Sequence, residues 1–126
     1  MYIMLLEPDA ILAKTYRQAL QADGQSVTWV GTAQAAVQKA DEHQPDVVVV
    51  DIDIARHNGI EFLYEFKSYT EWRDVPVVLL VSSLNHEIAD DAVLREQLGI
   101  GAVLVRSRLT LKQLCDEVRA VVRVSQ

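Results

Sequence analysis

Val47-Val48-Val49-Val50-Asp51-Ile52-Asp53 (VVVVDID) sets an unbroken apolar run against two carboxylates. β-branched residues are stiff at χ1 and favour an extended chain. A continuous run, where a half-exposed strand would alternate, predicts a strand buried on both faces, as in a parallel sheet. Asp51 then stands at the carboxyl end of that strand. It is either an ordinary strand terminus meeting water or a group held there for chemistry.

The rest of the chain repeats the pattern outward from this strand. Tyr2–Leu6 reads as a first strand, and Ile11, Leu12, Tyr16, Ala19 and Leu20 as one face of a helix stopping at Gly24. Ser26–Val30 reads as a second strand. Thr32 caps a short helix with Ala33, Ala36, Val37 and Ala40 inward, and Pro45 breaks it before the valines. Gly59 lies in the loop after Asp51, ahead of a helix over Ile60–Ser68. Pro76 opens a fourth strand, Val77–Val81. Glu87–Leu98 is a more polar helix ending at Gly99, followed by a strand over Ala102–Val105. Leu111, Leu114, Cys115, Val118, Val121 and Val122 form the apolar stripe of a last helix. Five strands alternating with five helices imply an α/β fold with a parallel sheet covered on both faces.

Composition agrees with a single domain over residues 1–126. Half of the 126 residues are hydrophobic, enough for a packed core. A net charge of −6 argues against direct nucleic-acid binding. One cysteine, Cys115, excludes an intrachain disulfide and reads as an inert core thiol in a reducing compartment. Met1–Leu6 carries no basic leader, and the run Val75–Val81 is too short to cross a bilayer, so a soluble cytoplasmic domain without a membrane partner is expected.

In an open parallel sheet, ligands gather outside the carboxyl ends of the strands. Glu7, Pro8 and Asp9 follow the first strand, Asp51 and Asp53 the third, Ser82 and Ser83 the fourth, Arg106-Ser107-Arg108 the fifth. Acids, a hydroxyl and a cation are thus expected on one rim. Glu7 reads either as a pocket acid or as a loop acid, and Arg106 either pairs with Asp51 or faces solvent. Asp9 reads as a helix N-cap. His43, His57 and His86 lack ligand spacing, Trp29 and Trp72 read as packing residues, and Asp90-Asp91 as a solvated helix face.

Pro45-Asp46, the valine strand, Asp51, then Asn58-Gly59-Ile60-Glu61-Phe62-Leu63 resemble the receiver domains of two-component response regulators, and Leu98-Gly99-Ile100-Gly101-Ala102 extends the likeness. The resemblance covers essentially the whole chain. It implies a flavodoxin-like, doubly wound sheet of order 2-1-3-4-5 and a non-enzymatic signalling role. By resemblance Asp51 is the phosphoacceptor for a histidine kinase or phosphotransfer protein. Glu7, Asp51 and the backbone carbonyl of Asp53 form an acidic pocket for Mg2+, weakened by Pro8 at the second acidic position. Ser82 is the phosphoryl-contacting hydroxyl and Arg106 the phosphate-contacting cation. The face of the fourth helix, fifth strand and last helix is the family's usual docking surface, including for a homodimer.

The pattern departs from the family at four positions. Pro8 replaces an acid, Val81 stands five residues after Pro76 where Thr or Ser is usual, and Arg106-Ser107 replaces Lys-Pro. Val103 stands where a switching aromatic is usual. These departures point to an alternative: a pseudo-receiver, used as an interaction or dimerisation module without phosphate control. A third reading, a small phosphatase built on Asp51-x-Asp53, lacks the later lysine and acidic pair such enzymes need.

Overall fold

The computed structural model describes residues 1–52, 59–82 and 91–125. The valine run is β3 (Val47–Asp51), fully buried from Val47 to Val50. Around it lie β1 (Tyr2–Leu6), β2 (Ser26–Val30), β4 (Val77–Val81) and β5 (Ile100–Val105). All neighbours pair parallel in the order β2-β1-β3-β4-β5. The helices are α1 (Ala10–Ala22), α2 (Ala33–Glu42), α3 (Gly59–Ser68), α4 (Ala92–Gln97) and α5 (Leu111–Ser125). Short 3-10 turns cover Thr70–Trp72 and Arg106–Arg108.

Side chains alternate across the sheet and build two cores. Ile3, Leu5, Val47, Val49, Val78, Leu80, Ala102 and Leu104 pack against α1 and α5 through Ala13, Tyr16, Leu20, Leu114 and Val118. Met4, Leu6, Val48, Val50, Val77, Leu79 and Val81 pack against α2 and α3 through Ala36, Ala40, Phe62 and Phe66. Fully burying Phe62 or Phe66 stabilises the fold by about 1.5–3 kcal/mol each.

Local chemistry sets the helix ends. Asp9 caps α1, its carboxylate accepting from the N–H groups of Ile11 and Leu12. Thr32 caps α2 through Ala35 N–H. Asp91, expected on a solvated face, is exposed but caps α4 through Leu94 N–H. Gly99 ends α4 with φ +66°, a left-handed turn that favours glycine.

The structure corrects three details. Ile11 is 79% exposed, because it lies two residues, about 200°, around α1 from buried Ala13. Leu111, at the first position of α5, is 42% exposed. β5 starts at Ile100, two residues earlier than its apolar pattern suggested. Of the polar helix expected over Glu87–Leu98, α4 is the part described; residues 83–90 lie outside the described residues, as do His57, His86 and Asn58.

Candidate functional site

Glu7, Asp51 and Arg106 each extend a row of side chains that faces α1 and α5. On β1 the row is Ile3, Leu5, then Glu7; on β3 it is Val47, Val49, then Asp51. On β5 the row exists only because of a bulge. Val77 pairs with Ile100 but Val78 with Ala102, so Gly101 is an extra residue. Ile100 therefore packs with Val77 on the α2/α3 side, while Ala102 and Leu104 pack with Val78 and Leu80 on the other. If Gly101 instead paired in regular alternation after Ile100, Arg106 would fall on the α2/α3 side, away from Asp51. Gly101 also permits the close passage of α5, since a Cβ there would meet Val121 Cγ1 at 2.6 Å.

The two ends meet. Arg106 Nη1 donates to Asp51 Oδ2 at 2.9 Å, with Asp51 1% exposed and the arginine side chain 29% exposed. Of the two readings open for Arg106, the structure selects the ion pair with Asp51. Gly59, from the motif after Asp51, fits for a related reason. Its N–H donates to Ile52 O at 2.9 Å, and a Cβ would fall 2.7 Å from Ile52 Cα. A side chain at that position would collide with the backbone that follows Asp51.

Glu7 is a pocket acid and fully buried. Its main chain is held on both sides: its N–H donates to Val30 O at 3.1 Å, and its C=O accepts from Trp29 Nε1 at 2.8 Å. Oε2 accepts from Asp9 N–H at 3.3 Å, whereas Oε1 is buried with no hydrogen-bond donor among the described residues. Burial pushes the Glu7 carboxyl up to about 7, and the neighbouring Asp51 carboxylate adds to this by charge and by hydrogen bonding; Asp9 N–H and Arg106 pull the other way. A protonated Glu7 donating to Asp51 reconciles a buried oxygen lacking a donor with this upward shift, since two adjacent carboxylates share a proton more readily than they both ionise. Tyr16, buried beneath the site on α1, is raised by burial and by Glu7.

Ser82 and Asp53 complete the expected set. Ser82 follows β4, exposed, and by alternation falls in the row of Val78 and Leu80. Val81 is fully buried on the α2/α3 side, where Val103 also packs. Val81 and Val103, which stand where the resemblance has a hydroxyl and an aromatic, thus both belong to the apolar α2/α3 side. Asp53 lies outside the described residues. Tyr16, Trp29 and Gly101 were not singled out as site residues. Tyr16 left no signal beyond an ordinary core pattern, Gly101 only its place in the family-like stretch Leu98–Ala102, and the polar edge of Trp29 finds Glu7 only through the register Leu5↔Trp29.

The site is thus a buried carboxylate beside a guanidinium at the rim of a parallel sheet, where the carboxyl ends of β3 and β5 meet. The sequence profile of the response regulator receiver domain matches residues 3–118, and the chain belongs to that family. Such domains work in two-component signalling. The chain is similar to the KDP operon transcriptional regulatory protein KdpE of Escherichia coli K12, 28% identical over 88% of this chain and 51% of the relative. It is also similar to the probable transcriptional regulatory protein TcrX of Mycobacterium tuberculosis, 25% identical over 96% of this chain and 49% of the relative. The chain thus spans about half the length of these curated relatives. Among solved structures, chemotaxis protein CheY4 of Vibrio cholerae superposes with a TM-score of 0.85 at 18% identity, covering 95% of this chain and 97% of that one. A sensor protein from Polaromonas sp. JS666 superposes with a TM-score of 0.88 at 15% identity, covering 99% and 98%. These two likenesses concern the fold. No described helix is long and apolar enough to cross a membrane.

Proposed function

We propose that this domain is a signalling receiver in which Asp51 accepts a phosphoryl group from the phosphohistidine of a histidine kinase or phosphotransfer protein. The observation that carries this reading is the 2.9 Å contact between Arg106 and buried Asp51. A carboxylate oxygen of Asp51 attacks phosphorus, the N–P bond breaks, and the imidazole leaves with its electron pair and takes up a proton. The acyl phosphate gathers negative charge where Arg106 already stands, and a guanidinium can fork onto phosphoryl oxygens. Ser82 is the hydroxyl proposed to meet the phosphoryl group. A cytoplasmic setting and residues 1–126 acting as one unit belong to the same reading.

Receiver domains generally hold Mg2+ at the acidic pocket. Here Glu7 and Asp51 are the side-chain carboxylates present for it, with the carbonyl of Asp53 proposed as a third donor. The donor set fits poorly. Pro8 supplies no carboxylate, Asp9 is committed to capping α1, and Arg106 is bonded to Asp51. No step above therefore runs through a metal.

A second reading is favoured by Val81 and Val103: an interaction module whose state does not depend on phosphate. Its surface would be the face of α4, β5 and α5, where Val93 and Val124 are 66% and 87% exposed beside a cleft of about 570 Å³ edged by Arg73, Arg95, Glu96 and Glu117. Such a face suits a second copy of the domain. Intact-mass spectrometry after incubation with a small phosphodonor and Mg2+ separates the readings. A gain of one phosphoryl group, absent in Asp51→Asn, is expected; no gain under saturating donor would leave the second reading. Sedimentation with and without donor then tells a switched dimer from a constitutive one.

A further inference from the structure

The acidic pocket carries a cation of its own. Arg106 places a permanently charged guanidinium against a carboxylate that is 1% exposed. Around it the chain is arranged against admitting another carboxylate. Pro8 follows Glu7, and Asp9 Oδ1 accepts from Ile11 N–H at 2.9 Å and Leu12 N–H at 3.1 Å, turning that acid toward α1. The segment cannot swivel to compensate, because the Glu7 main chain is held by Val30 on one side and by the Trp29 indole on the other. Magnesium demands near-ideal octahedral oxygen geometry and sheds water reluctantly, so it depends on carboxylates whose charge is not already met.

We propose that Arg106 takes the charge-compensating place that a divalent cation would take beside Asp51, and that the pocket excludes Mg2+ while the guanidinium is bound there. Arginine is thus the residue that decides the metal dependence of the site. This concerns the unphosphorylated pocket and stands apart from phosphoryl acceptance, so a negative mass result in the donor experiment leaves it intact.

The test is a titration of the isotopically labelled full chain with MgCl2 and then MnCl2, following the amide signals of Glu7 and Asp51, for wild type and Arg106→Gln. Working at pH 8 keeps Glu7 above its value of about 7, so that its proton is not what holds the metal out. Wild type is expected to show no saturable shift with Mg2+ and no selective broadening by Mn2+. Arg106→Gln is expected to gain saturable broadening at both amides, with apparent affinity raised about tenfold or more. Arg106→Met serves as a second neutral variant if Arg106→Gln gives no dispersed spectrum. Saturable binding at Glu7 and Asp51 in wild type overturns the proposal, and so does a folded neutral variant that gains no metal.

Discussion

Among the described residues this domain buries ionisable side chains at two ends of its sheet, and it treats them differently. Lys67, near the end of α3, is 9% exposed and donates to the carbonyls of Trp72 at 3.4 Å, Arg73 at 3.1 Å and Val75. Burial pulls its ammonium down to about 8, yet each of its three protons meets an acceptor. At the opposite end of the sheet, Glu7 is more deeply buried and one of its oxygens has no donor among the described residues. A buried charge with every partner present fastens a turn. A buried acid short of a donor, beside a second acid and a guanidinium, has its protonation set by its neighbours. The same cost of desolvation is offset by hydrogen bonds in one case and by a raised proton affinity in the other.

Removing the Lys67 ammonium tests the structural half most severely. Lys67→Met removes the donor from the Arg73 and Val75 carbonyls in the turn before β4, while Trp72 O keeps the Val75 N–H, and should lower stability by about 3 kcal/mol in urea unfolding. A loss within experimental error would mean that the ammonium is not what holds that turn.

The Glu7 half has the opposite sign. Its folded-state value is raised from 4.5 to about 7, so the folded state binds the extra proton in that interval. The stability this contributes is fully present below 4.5 and is lost as pH rises through about 7. Glu7→Gln keeps the shape without the charge. It should abolish that slope and exceed wild type at pH 8 by an amount on the order of 2 kcal/mol. Parallel stability profiles for the two proteins from pH 4.5 to 8 would contradict the shared-proton reading.

Trp29 gives the smallest effect. Trp29→Phe keeps the ring but removes the donor to Glu7 O, which should cost about 1 kcal/mol. If Trp29 steadies the acid, the same variant also shifts the midpoint of the Glu7 pH profile; an unmoved midpoint would confine the indole to packing.

Much of the candidate site was legible because its residues follow strands, and strand ends are visible in the chain. The valine run, the alternation of apolar segments, and the caps at Asp9 and Thr32 are local signals that need no partner to be read. Gly59 was legible in place, but the reason for it was not: its missing Cβ makes room for the backbone of Asp51 and Ile52. Ile11 misled because apolar character alone does not set the phase of a helix; its contacts with the sheet do.

What the sequence by itself determined is the order of strands and helices, the fully buried β3, and the identity of the acid at its end. Tertiary structure alone decided that Arg106 faces Asp51, because one extra residue in the pairing of β5 with β4 reverses which side every later side chain takes. It also decided that Glu7 is sealed from water. Both depend on how strands distant in the chain register against one another, and register is a property of pairs that no single stretch of sequence contains.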